Sequence, residues 1–141
     1  MGLRFPPPLI AFTKEYPLNR IIEHSFIFST ILFTVYSQLI MRWQVTEAGA
    51  LPIDMPGKVH YIVALLLNPW VISGIVATFL AGVSWMLTMT KFEISYAYPF
   101  VSLNYILVLA AGFLLFQESL SCAKLVGGAL VILGIIVIAR G

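Results

Sequence analysis

Four long apolar runs dominate this sequence, and they decide which solvent the chain folds in. A helix rises about 1.5 Å per residue and the hydrocarbon layer of a bilayer is about 30 Å thick, so about 20 apolar residues span it. Runs at 25–45, 70–90, 96–116 and 122–139 meet that test. Only 10% of the residues are charged and 60% are apolar. Water-soluble domains carry about 25% charged residues, and one this small could not hide so much apolar surface from water. The links Lys91–Ser95 and Gln117–Ser121 are short enough to force neighbouring spans to reverse direction. The expected fold is therefore an all-α membrane protein, with four transmembrane helices in an antiparallel bundle.

Two segments stand outside the spans. Residues 1–24 carry Pro6, Pro7, Pro8 and Pro17 among mixed charges, and are expected at the interface or in the cytoplasm. The prolines also interrupt any signal-peptide core, so the first span is expected to act as an uncleaved anchor. The loop 46–69 contains Pro52, Asp54, Pro56, Gly57 and Lys58, then an apolar run from Tyr61 to Leu67. That run is too short to span; it is expected to lie in the interface or to extend the second helix. With the amino terminus inside, Arg4, Lys14, Arg20, Lys91 and Arg140 face the cytoplasm, against Arg42, Lys58 and Lys124 outside. This small excess favours both termini inside. The net charge of +2 is too weak and scattered for nucleic acid. Cys122 is the only cysteine, which rules out an intrachain disulfide.

Polar residues inside the spans are the candidates for function. Thr30, Thr34, Gln38 and Arg42 recur every four residues along the first helix. Such a stripe should face protein or a wet cavity, since lipid offers polar groups no partner. It serves either a path or interhelical hydrogen bonding. Arg42 either snorkels to the headgroups or binds an anion there. In the second helix Gly74, Thr78 and Gly82 form a small-residue face suited to close helix packing. Trp85 continues that face, as core or as the wall of a cavity. Tyr98, Ser102 and Asn104 open the third helix, with Pro99 expected near its first turn, where proline costs little. A buried amide in hydrocarbon needs a partner, so Asn104 should find one or line a wet cavity. Gly127, Gly128 and Gly134 make a second packing or dimer face. Glu118 and Ser121 suit the cap of the last helix.

No Asp, Glu, Lys or His lies near the middle of a span, where proton relays and ion-coupled carriers keep one. Paired carboxylates, Cys/His metal spacing, phosphate loops and serine elbows are also missing. No catalytic residue, metal site or cofactor is expected, and the chain does not read as an enzyme.

The segment Ala97-Tyr98-Pro99-Phe100-Val101-Ser102-Leu103-Asn104 resembles a pattern of the drug/metabolite transporter superfamily, in its small four-helix branch (EamA or small multidrug resistance-like). Its nearest likeness is to the small subunits of the aminoarabinose-phosphoundecaprenol flippase. Phe116-Gln117-Glu118-Ser119-Leu120-Ser121, the run Gly127–Gly134, and Ser37-Gln38 followed by Arg42 are similar to further family elements. Small multidrug transporters resemble the chain at Trp85, but their essential helix-one carboxylate falls at Thr34, which cannot titrate.

The resemblance implies a multi-pass protein of the bacterial inner membrane that flips a polyprenyl-phosphate-linked sugar. It would work as a homodimer or with a paralogous subunit, among membrane lipids. Thr30, Thr34 and Gln38, with Ser102 and Asn104 opposite, would line the path. Arg42 would hold the phosphate, and Trp85 and Tyr98 would narrow the way. The alternatives are an exporter of cationic compounds and a non-transporting assembly subunit.

Overall fold

The computed structural model describes residues 17–141; the expectations for residues 1–16 lie outside the described residues. Six helices follow in order: α1 (Pro17–Ala48), α2 (Met55–Leu66), α3 (Pro69–Met89), α4 (Ile94–Val101), α5 (Leu103–Phe116) and α6 (Cys122–Arg140). There is no strand among the described residues. Four segments are long and apolar enough to cross a membrane: Arg20–Ala48, Pro69–Met89, Ile94–Phe116 and Cys122–Arg140. The third of these is α4 and α5 taken together. Large apolar side chains line their outer surfaces, among them Phe79, Leu114, Leu130 and Val137, each more than 60% exposed. In water that surface would drive aggregation; in lipid it is the solvated face.

Local chemistry sets the helix ends. α1 gives way at Gly49, whose φ of +81° costs glycine nothing. Tyr61 of α2 donates its hydroxyl to the Gly49 carbonyl at 3.0 Å and ties the turn down. Asp54 caps α2, accepting from the Gly57 N–H at 2.7 Å. A Cβ at Gly57 would lie 2.8 Å from both Asp54 Oδ1 and Pro52 Cβ, so only glycine fits this cap. α2 is a separate helix and not an extension of the next span. Asn68 caps α3 from its side chain, and Pro69 occupies the helix start, where its missing N–H is harmless.

Pro99 lies inside α4 and not at a first turn, because the helix already begins at Ile94. Without a proline N–H the α-helical ladder loses a bond. The chain tightens just beyond it: Ser102 N–H bonds to Pro99 O at 3.1 Å, and Tyr105 N–H to Ser102 O at 3.0 Å. These three-residue closures separate α4 from α5 within one span.

α1 packs most extensively on α3, and also meets α4 and α5. Ile27 and Ile31 of α1 and Ala97 of α4 are buried together, with Val35, Trp85, Phe92, Phe100 and Leu103 around them. Gly74 lets α3 come close to α1, since a Cβ there would sit 3.3 Å from Met41 Cε and 3.5 Å from Ile40 Cγ2. α6 lies on α4 and α5, with Gly128 under Ile106 and Leu109 of α5.

Candidate functional site: the polar faces of helix one

Two polar stripes, not one, run along α1. Thr30, Ser37 and Gln44 are buried, at 5%, 6% and 5% exposure. Thr34 is half-buried, and Gln38 and Arg42 are exposed. Helical geometry explains the split. Seven residues fall about 20° short of two full turns, so a seven-residue series stays on one face. Four residues overshoot one turn by about 40°, so the four-residue series swings out of the bundle before it reaches Arg42.

The buried stripe builds the seam with α3. Thr78 donates its hydroxyl to Gly74 O at 3.0 Å, so the Ser37 hydroxyl is the donor in the 2.5 Å bond to Thr78 Oγ1. Ser73 likewise donates to Trp70 O, which makes Tyr36 the donor to Ser73 at 3.0 Å. Asn68 accepts from Trp70 N–H and donates through Nδ2 to Gln44 Oε1 at 2.8 Å. Thr30 turns back on its own helix, bonding Phe26 O at 2.9 Å. Ser37, Gln44, Ser73 and Asn68 were not expected as polar contacts of this seam; the seven-residue spacing of Thr30, Ser37 and Gln44 was the available signal.

The swinging stripe ends in a charged site. Arg42 Nη2 donates to Glu118 Oε1 at 2.9 Å, joining α1 to the turn between α5 and α6. The guanidinium carbon stands 5.9 Å from the centre of the Phe116 ring. Glu118 reaches this place because Gln117 takes a left-handed conformation (φ 54°), and the Gln117 and Glu118 N–H groups both bond to Gly112 O. Glu118 Oε2 lies over Gly112, 3.0 Å from where a Cβ would stand. The cap of α6 belongs to Ser121, which accepts from Lys124 N–H at 3.3 Å; the Glu118 carboxylate goes to Arg42.

The remaining expected residues are distributed around these two faces. Trp85 is half-buried against the Ile27–Ile31–Ala97 core and meets the exposed Tyr98 edge-on at 5.7 Å. The Ser102 hydroxyl donates to Pro99 O at the break between α4 and α5. Asn104 Oδ1 is buried with no hydrogen-bond partner among the described residues. Gly74, Thr78 and Gly128 work within the bundle, and a Cβ at Gly127 would lie 4.0 Å from the Tyr105 hydroxyl. Gly82 and Gly134 face open space.

These features define a small multi-pass helical membrane protein, with a packed polar seam on one side of α1 and an exposed ion pair at the end of the other. No family model matches the chain, and no solved structure does. Curated relatives do match. The chain is 32% identical over 123 residues to a protein of Pseudomonas fluorescens named "Probable 4-amino-4-deoxy-L-arabinose-phosphoundecaprenol flippase subunit ArnF", across 86% of this chain and 90% of that one. With the ArnF protein of Proteus mirabilis it shares 30% identity over 116 residues, across 79% and 86% of the two chains. A relative of Aeromonas salmonicida named as subunit ArnE is 33% identical over 69 residues, across 49% and 60%. The chain belongs to this family of small flippase subunits.

Proposed function

We propose that the chain is one subunit of a flippase that moves an undecaprenyl-phosphate-linked sugar across the bacterial inner membrane. Kinship over nearly the whole chain with proteins so named carries the proposal. The physical task fits the composition. The prenyl tail stays in lipid while the phosphate and sugar cross, so the protein needs a polar route open sideways to the bilayer.

The swinging stripe supplies one side of that route. Thr34 and Gln38 leave the packed core in the direction of Arg42, and no carboxylate lies at mid-depth to repel a phosphate. Thr30 closes the stripe inside the bundle. Tyr98, Ser102 and Asn104 lie on the broken third span, where Asn104 Oδ1 keeps an unused acceptor for a sugar hydroxyl. Trp85 beside Tyr98 narrows the route. Arg42 binds the phosphate at one end, where a guanidinium offers a planar set of donors.

Four spans in an antiparallel arrangement enclose little volume, so the working unit is a dimer, with a paralogous subunit as the partner that fits the paired names ArnE and ArnF. Gly82 and Gly134, open in the single chain, suit its contacts. The function is transport and not catalysis.

The test is flipping of a labelled polyprenyl-phosphate sugar in liposomes that hold the chain and its paralogue. Arg42→Ala is expected to lower the initial rate at least about tenfold, the effect of losing one charge-assisted phosphate contact. Equal rates for variant and wild type would remove Arg42 from the mechanism, and no flipping by the wild-type pair would remove the function.

A further inference from the structure

The Arg42–Glu118 pair presents both charges of a site at once. Neither side chain is committed to the interior: they are 55% and 41% exposed. Contact is through one nitrogen and one oxygen, so the other guanidinium N–H donors make no hydrogen bond to any described residue. The second carboxylate oxygen rests over Gly112, 3.0 Å from where a Cβ would stand. An ion pair this open is screened by solvent and contributes little to holding helices together. Its two halves also stand on different elements, α1 and the α5–α6 turn, and can separate to admit a ligand between them.

What such a pair accepts follows from charge. A ligand that is only anionic takes Arg42 but leaves the Glu118 carboxylate without its partner and close to a new negative group, an arrangement that like-charge repulsion opposes. A ligand with a phosphate and an ammonium exchanges partners without leaving either charge alone. The phosphate replaces Glu118 on Arg42, and the ammonium replaces Arg42 on Glu118.

We propose that Arg42 and Glu118 form a split receptor for a zwitterionic lipid head, in which Arg42 takes the phosphate and Glu118 takes a primary amine on the sugar. In the Arg42–Glu118 pair each side chain stands in for the ligand charge the other would meet. Gly112 provides room for the carboxylate, and Phe116 lies against the guanidinium. This deepens the flippase reading and rests on it. Glu118 is then the residue that selects amino sugars over neutral ones.

The experiment compares two labelled polyprenyl-phosphate pentoses that differ only in a primary amine against a hydroxyl, in liposomes holding the full chain and its paralogue. Wild type is expected to flip the amine lipid about tenfold faster, the worth of one charge-assisted hydrogen bond. Glu118→Gln keeps the shape and loses the charge; it should bring the two rates within about twofold by slowing the amine lipid alone. Gly112→Ala crowds the carboxylate, shifting it by a few tenths of an ångström without removing it, and should narrow the preference in the same direction. If Glu118→Gln does not assemble, Gly112→Ala decides. A preference unchanged in both variants, or both lipids slowed equally, overturns the proposal, as does a wild type indifferent to the amine. Flipping of neither lipid by the wild type is a different result, because it removes the flippase reading itself.

Discussion

If Gly74 sets how closely α1 and α3 approach, then leucine and alanine at that position should behave very differently. In Gly74→Ala the new Cβ meets Met41 Cε at 3.3 Å and Ile40 Cγ2 at 3.5 Å, both ends of side chains that can yield by a few tenths of an ångström. Alanine also gains roughly 1 kcal/mol of helix propensity over glycine. The alanine variant should therefore be as stable as wild type, or up to about 1 kcal/mol more stable. Leucine has nearly the same propensity as alanine, so comparing the two variants cancels that contribution. What remains is the isobutyl group driven toward α1, where the Ser37 carbonyl lies 3.7 Å from the Cβ position and is backbone. Overpacking of this kind costs about 1–3 kcal/mol. Separating the helices also breaks the Ser37–Thr78 bond, and such bonds in membranes average about 0.6 kcal/mol. Gly74→Leu should be less stable than Gly74→Ala by about 1.5–3.5 kcal/mol. The assay is reversible unfolding in mixed micelles. Tryptophan fluorescence is the readout, because Trp43 of α1 and Trp70 of α3 stand 5.5 Å apart across the same seam. Two variants that unfold within about 0.5 kcal/mol of each other would refute close approach at Gly74.

Two further predictions concern the polar contacts of this seam. A double-mutant cycle of Ser37→Ala and Thr78→Val should show a favourable coupling of about 0.6 kcal/mol and no more than about 1.7; zero coupling would mean that the hydroxyls do not bond. Asn68→Ala removes a helix cap and leaves Gln44 Oε1 without its donor, and should cost about 2–4 kcal/mol. Asn68→Ser, which can still cap, should recover about 1 kcal/mol of that loss; identical losses for Ala and Ser would exclude the cap as a contributor.

The spans were legible because length and hydropathy report directly on solvent, whatever the helices pack against. Pro99 was legible as a perturbation but not in its position. Its effect depends on where α4 starts, and Ile94 follows Glu93, which takes the extended backbone of an N-cap with no side-chain hydrogen bond to mark it. The four-residue stripe on α1 was visible as a pattern, yet its drift carries Gln38 and Arg42 away from the face that Thr30 occupies. Reading the period as seven would have placed Ser37 and Gln44 in the seam. The contact of Arg42 with Glu118 joins residues 76 apart in sequence. No local pattern encodes it, because it depends on the left-handed turn at Gln117 aiming Glu118 back over Gly112.

The two stripes divide the labour of α1, and that division bears on how so small a protein could move a lipid. Motion along a route requires one surface that holds and another that lets go. The seam with α3 holds: Ser37 and Gln44 are buried, bonded to Thr78 and Asn68, and set around a glycine contact. Opening it would leave polar groups unpaired in hydrocarbon, which is costly. The side ending at Arg42 is joined to the α5–α6 turn by an exposed ion pair that solvent already weakens. The third span beside it is broken between α4 and α5, where the ladder has already lost a bond. On the flippase reading, α1 and α3 would then move as one body while α4, α5 and the following turn part from them. That assignment leaves the α1–α3 seam closed: Ser37 and Gln44 stay on the packing face, Gln38 and Arg42 lie on the other, and Thr30 is where the two stripes meet.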